Sequence, residues 1–337
     1  MDNKDAVEVS FKEVFMYNKN EYKAMNQNHR LMAAVSSSSY KMCYENLQRE
    51  NMTYNKEEKI RIEKLLSENP EFLLIGDENY PSKLYDMAWP PLIVFYDGDL
   101  SLLNRPALGI VGSRRATEYG RSVTFELSRS LAKIGAVILS GGARGVDTMA
   151  HTAALKESGK TICVLGCGLD IVYPYENKKI FQEIREEGLI LSEYPKGFKP
   201  QKWTFPMRNR IISALSCEVI VTEAAQKSGS LHTATFAEEL NRIVHSVPHP
   251  ITSYNGVGNH ILIEMGAKIL YNKNEFIMEF LVNYPESVKF RIQDLGLKEL
   301  NLSQVNLLKI LDLHQVKEKS ITEIAEKIMS VYEDKTV

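Results

Sequence analysis

Six short, unbroken runs of Val, Ile and Leu constrain this chain more than any other feature. LGIVG, AVILS, TICVLG, LILSEY, EVIVTEA and RIVHSVP are each four to seven residues long. Helix-like stretches separate them: EYGRSVTFELSRSLAKIG, VDTMAHTAALKESG, NKKIFQEIREEG, RNRIISALS and SLHTATFAEELN. Continuous rather than alternating apolar residues mark strands buried on both faces, and strand–helix alternation builds a parallel sheet covered on both sides. The expected fold is α/β: a Rossmann-like, doubly wound, mostly parallel sheet over roughly Leu108 to Leu270.

The flanks read differently. No glycine or proline precedes Pro70, and KEEKIRIEKLLSE has helical spacing, so a small helical N-terminal domain is expected. Beyond about residue 285, QVNLLKILDL and SITEIAEKIMS suggest a short helical tail, possible as a truncated winged-helix module. The division expected is 1–78, 79–285 and 286–337.

With 337 residues, 44% hydrophobic and 25% charged, the composition is that of an ordinary globular protein. Net charge is only −2, so any nucleic-acid partner must be held by a local patch. Cys43, Cys163, Cys167 and Cys217 lack zinc-finger spacing and read as small buried hydrophobes in a reducing compartment. MDNKDAVEVSFKE has no apolar core for a secretory signal, and no apolar run approaches ~18 residues. A cytoplasmic protein without a membrane partner is the expectation.

In an open parallel sheet, ligands bind beyond the carboxyl ends of the strands. Gly112-Ser113-Arg114-Arg115 follows the first run, Gly141-Gly142-Ala143-Arg144-Gly145 the second, and Lys227-Ser228-Gly229-Ser230 follows EVIVTEA. Glycine, hydroxyl and cation together at several strand ends make a row of phosphate seats. KGFKPQKWTFPMRNR carries Lys196, Lys199, Lys202, Arg208 and Arg210 without an acid, with Trp203 and Phe205 interleaved. That mixture suits single strands, whose bases stack at ~1–3 kcal/mol each while cations follow the backbone; equally, the two aromatics can anchor the loop to the core. Arg208 and Arg210, two apart, cannot share one helix face, so at least one is expected to serve the fold. Asp147 is expected to cap the helix it opens, Gly159 to end that helix, and His151 and His232 to be packed or capping side chains. Glu193 and Glu223 end strands beside the site, where they could orient arginines or act in chemistry. Motifs for dinucleotide binding, phosphate loops, nucleophile elbows and zinc proteases are missing or in the wrong context.

The ordered motifs IVGSRRATEYG, LSGGARGVDTMAH, CVLGCGLDIVYPYEN, LSEYP, FPMRNRIISALS, EAAQKSGSLHTATFA and GNHILIEMGA, within residues 79 to 272, closely resemble the DNA-processing protein A family (DprA, also called Smf). The resemblance implies an extended Rossmann-like fold and a bacterial cytoplasmic homodimer. It also implies a protein that binds single-stranded DNA and loads RecA recombinase during natural transformation, with no known catalysis and no cofactor. Its DNA pocket maps onto Ser113 and Arg114, Gly142 to Gly145, Arg208, Asn209 and Arg210, and Lys227 to Ser230; Lys196, Lys202 and Phe205 join them from the basic-aromatic segment. The chain departs from the family in lacking an N-terminal helix-hairpin-helix glycine motif and in carrying Asn241-Arg242 and Val247-Pro248-His249. A nucleoside-monophosphate hydrolase, with Glu238 and Glu239 as its acids, or a nucleotide sensor is the alternative on this fold.

Overall fold

The computed structural model describes residues 19–35, 40–49 and 55–294. The described chain divides into two compact units: residues up to Ser67 together with Leu73–Ile93, and Glu68–Phe72 together with Val94 onward.

The smaller unit carries α1 (Lys19–Ala24), α2 (Gln27–Val35), α3 (Tyr40–Gln48) and most of α4 (Lys56–Glu68). The stretch KEEKIRIEKLLSE forms α4, as its spacing predicts. Tyr22, Ala33, Leu47, Ile62, Leu84 and Leu92 fill this unit's core. Arg30 is buried among them, where its guanidinium donates to the Ile75 carbonyl and to Asp77 Oδ1 at 3.0 Å. A buried guanidinium is tolerated because its donors find a carbonyl and a carboxylate.

β1 (Phe72–Leu74) and β2 (Ile93–Gly98) lead into the larger unit. There follow β3 (Ala107–Gly112), α5 (Glu118–Lys133), β4 (Val137–Ser140), α6 (Val146–Lys156), β5 (Thr161–Leu165), α7 (Lys178–Glu187) and β6 (Leu189–Ser192). The second half holds α8 (Thr204–Leu215), β7 (Glu218–Glu223), α9 (Ser230–Glu239), β8 (Ile243–Ser246), α10 (Val257–Glu264), β9 (Lys268–Ile269), α11 (Lys273–Asn283) and α12 (Glu286–Asp294). Across this unit the strands run β2-β6-β5-β4-β3-β7-β8-β9. All pairs from β3 to β9 and between β5 and β6 are parallel, while β2 pairs antiparallel with β6. Each of the six apolar runs forms a strand, and the doubly wound, mostly parallel sheet is present. Strand β2, from PPLIVFYDG, was not among the expected strands; its two prolines masked the following apolar residues.

Chain order reverses beside β3: β4, β5 and β6 add on one side, β7, β8 and β9 on the other. The loops after β3, β4 and β7 therefore meet at the switch point. Helix α5 opens with the Thr117 hydroxyl accepting from the Gly120 N–H. It buries Thr124, Leu127, Ser128 and Leu131, a helical stripe. Leu127 and Leu131 pack with Leu108, Ile110 and Ile138 of the sheet and with Ile277 and Phe280 of α11. Each such side chain contributes ~1.5–3 kcal/mol by leaving water.

Two expectations at α6 need correction. Gly145, not Asp147, occupies its N-cap; Asp147 lies inside the first turn, and its Oδ2 reaches back to accept the Ala143 N–H at 3.2 Å. At the other end Ser158, with φ 50°, takes the left-handed position given to Gly159, whose N–H closes the turn onto the Ala154 carbonyl. The helix stops one residue earlier than its glycine suggests, because a single left-handed residue suffices to turn the chain. The predicted tail helices after Asp294 lie outside the described residues.

Candidate nucleic-acid interface

The loop after β3 begins at an irregularity. Register between β3 and β7 shifts at Val111/Gly112, and the Ser113 N–H donates to the Glu223 carbonyl at 2.7 Å. The Ser113 carbonyl in turn accepts the Val146 N–H at 3.1 Å, seating the start of α6 on this loop. Gly145 makes that contact possible. Its φ is +76°, and a Cβ there would stand 2.2 Å from the Ser113 oxygen. Glu223 does not orient an arginine: its carboxylate accepts the Thr117 N–H at 3.0 Å and the Thr117 hydroxyl, anchoring the entry to α5.

Against the second loop lies Arg208 from α8. Only 4% exposed, its guanidinium donates to the carbonyls of Gly141 and Val164. A Cβ on Gly141 would be 2.4 Å from that guanidinium, so the glycine is the space Arg208 occupies. Arg208 Nε also donates to Asn209 Oδ1 at 3.1 Å, and Asn209 Nδ2 donates to the Gly229 carbonyl at 3.2 Å. One chain of hydrogen bonds thus ties the loops after β4 and β7 through α8. Within the latter, Ser228 and Ser230 hydroxyls bond each other at 2.8 Å.

Arg114, Arg115, Gly141, Ala143, Arg144 and Arg208 line a hollow of about 170 Å³ together with Leu165, Gly166, Cys167, Tyr173, Pro174 and Phe205. No acid lines it. Phe205 is its aromatic wall: the Arg114 guanidinium lies over the ring at 4.9 Å, and Tyr173 packs against it at 5.7 Å between centroids. A cation on a ring face keeps its donor edges available. Arg144 projects further out, paired with Glu176 at 2.5 Å. Beneath the hollow Asp147 is buried; burial pushes its carboxyl up, against the pull of Arg208 and the neighbouring Ala143 N–H. His151 is fully buried, its Nδ1 2.7 Å from the Thr161 hydroxyl, and burial drives its pKa down to about 3, so it stands as a neutral packed side chain.

The predicted site residues therefore separate into groups. Arg114, Arg144 and Phe205 share the hollow with Arg208; Ser113, Gly142 and Gly145 build its loops, and Asn209 on α8 ties Arg208 to the loop after β7. Lys227 and Gly229 are exposed on the β7 loop and do not line the hollow; Ser230 is buried at the start of α9. Lys196 and Lys202 are exposed outside it. Arg210 is buried and bonded to the equally buried Glu193, so its charge is spent inside the fold. Trp203 packs edge-on against Tyr194 at 5.9 Å, as an anchor of the loop does, and remains 45% exposed. Tyr173, which the sequence reasoning missed, had only a weak signal, an aromatic before proline in the loop after β5. Glu238 and Glu239 are exposed on α9, away from the lining.

A doubly wound sheet with cationic loops and an aromatic-walled hollow at the carboxyl ends of its strands defines a Rossmann-like α/β protein. The chain belongs to the DNA recombination-mediator protein A family, whose pattern matches residues 71–281. It is 43% identical over 220 residues to protein Smf of Synechocystis, a match covering 64% of this chain and 55% of that protein. With DNA processing protein DprA of Bacillus subtilis it shares 41% identity over 206 residues, 61% of this chain and 69% of that one. The chain thus spans little more than half the length of the Synechocystis relative. The X-ray structure of DprA from Streptococcus pneumoniae superposes with a TM-score of 0.64 at 33% identity, covering 77% of this chain and 95% of that one. A Helicobacter pylori DprA structure, described for its single-stranded DNA binding mode, superposes at 0.58 with 40% identity, covering 63% and 97%.

Proposed function

We propose that this protein binds single-stranded DNA along the carboxyl edge of its sheet and mediates recombination by passing the strand to a RecA-type recombinase, working as a cytoplasmic homodimer. The observation that carries the reading is the hollow itself: no acid is among its lining residues, Arg114 lies over the Phe205 ring, and Arg144 comes from the next crossover loop. Guanidinium groups suit phosphate, the Phe205 and Tyr173 rings suit a base, and neither distinguishes sequence. The single-stranded DNA mode described for the Helicobacter pylori relative supports the same choice of ligand. Exposed Lys196, Lys202 and Lys227 extend positive charge beyond the hollow, as a polymer requires. At about 170 Å³ the hollow is small beside the ~300–1,000 Å³ of sites that engulf a small molecule, which favours a strand lying across it over an enclosed mononucleotide. Binding rather than bond-breaking is the activity assigned, with 79–285 as the DNA-binding region.

Fluorescence anisotropy of an oligothymidylate at several salt concentrations tests this. Arg114→Ala should weaken binding irrespective of sequence and lower the salt slope by ~0.7, one phosphate contact. Unchanged affinity and slope would remove Arg114 from the interface. Release of free base from nucleoside monophosphates would overturn the assignment of binding alone.

A further inference from the structure

Among the cations of the site, Arg144 is the one held by a carboxylate in open water. Its Nη2 lies 2.5 Å from Glu176 Oε1, and the two side chains are 64% and 61% exposed. Arg210 and Glu193 are 7% and 4% exposed and cannot exchange partners without unburying both. Arg208 is fixed by backbone carbonyls. Glu176 belongs to the short turn Tyr175–Asn177, which a second contact secures from the buried side: Asn177 Nδ2 donates to the Gly142 carbonyl at 2.9 Å and to the Thr148 hydroxyl at 2.8 Å. That clamp keeps turn and loop in place when the Glu176 carboxylate leaves Arg144 and its own backbone N–H.

We propose that the Glu176 carboxylate is a resident competitor for the phosphate seat on Arg144, which nucleic acid must displace to occupy the hollow fully. The inference rests on the single-stranded DNA reading above. A carboxylate and a phosphate present the same paired oxygens to a guanidinium, so the exchange is like for like. One isolated anion gains little from it. A strand already gripped at Arg114 holds its next phosphate at high local concentration beside Arg144 and wins the exchange. Glu176 thereby selects polymer over free mononucleotide and inorganic phosphate.

Anisotropy titrations of an oligothymidylate against the full chain test the idea through Glu176→Gln, Arg144→Gln and the double variant. Glu176→Gln should tighten binding about two- to five-fold, the range of an exposed ion pair, and should do nothing in the Arg144→Gln background. Weaker or unchanged binding by Glu176→Gln would mean that the carboxylate aims Arg144 or is inert, and would overturn the proposal. A gain that persists without Arg144 would reduce it to long-range charge repulsion, which also overturns it. Should the unaltered protein fail to bind the oligonucleotide, the function reading falls first and this inference with it.

Discussion

Arg208 and Arg210 stand two positions apart on one helix and have unlike surroundings. The first faces the loop after β4 and the carboxyl end of strand β5, the second Glu193 after β6. A two-residue step on a helix points side chains in diverging directions, so the sequence foretold their separation but not that both would be buried. Glycines show the same dependence on neighbours. Gly145→Ala would need a left-handed alanine 2.2 Å from a carbonyl oxygen, whereas nothing lies within 4 Å of a Cβ at Gly229. Urea unfolding should find Gly145→Ala destabilised by ~1–3 kcal/mol and Gly229→Ala within ~0.5 kcal/mol of the parent. Equal costs would mean that the loop after β4 relaxes freely off Ser113.

At the scale of elements, α8 does more than cover the sheet. It carries Phe205 into the hollow wall, places Arg208 under the β4 loop and holds the β7 loop through Asn209. Loosening that last tie should free the β7 loop while sparing the core. Asn209→Ala should cost ~1–3 kcal/mol in stability, because it also takes the acceptor from the buried Arg208 Nε. It should also speed tryptic cleavage after exposed Lys227 and weaken oligonucleotide binding. Cleavage at the parental rate would show that the Asn209–Gly229 hydrogen bond does not order the loop. Strand β9, two residues long, closes one edge of the sheet with Lys268, a short charged edge of the kind that discourages further strand pairing.

Taken whole, the molecule keeps a neutral histidine and an aspartate side chain buried under its cationic edge. The His151 imidazole has been pushed from 6.5 down to about 3 by burial. Below pH 6.5 the unfolded chain binds a proton that the folded chain refuses. The contribution of His151 is therefore full above that pH and is lost as pH falls toward 3, at up to ~1.4 kcal/mol per unit. Asp147, pushed up by burial, contributes a slope of opposite sign, so the comparison must be made between variants. Between pH 7.5 and 4.5 the parent should lose more stability to acid than His151→Gln, measured from urea midpoints. Parallel losses would show that His151 does not carry the acid sensitivity. No helix among the described residues is long and apolar enough to cross a membrane.

What the sequence determined is what local pattern controls. Short unbroken apolar runs alternating with helical stretches read as strands buried on both faces, and the glycines, hydroxyls and cations that follow several of them fall on one edge of a parallel sheet. That much follows from periodicity and chain direction. The tertiary structure alone decided which cations stay in water and what each one meets. Arg210 is quenched by Glu193 and Arg208 by carbonyls, while Arg114 lies on Phe205 and Arg144 on an exposed carboxylate. Those partners come from segments far apart in the chain. A charge is worth what its surroundings leave unsatisfied, and only packing brings the surroundings together.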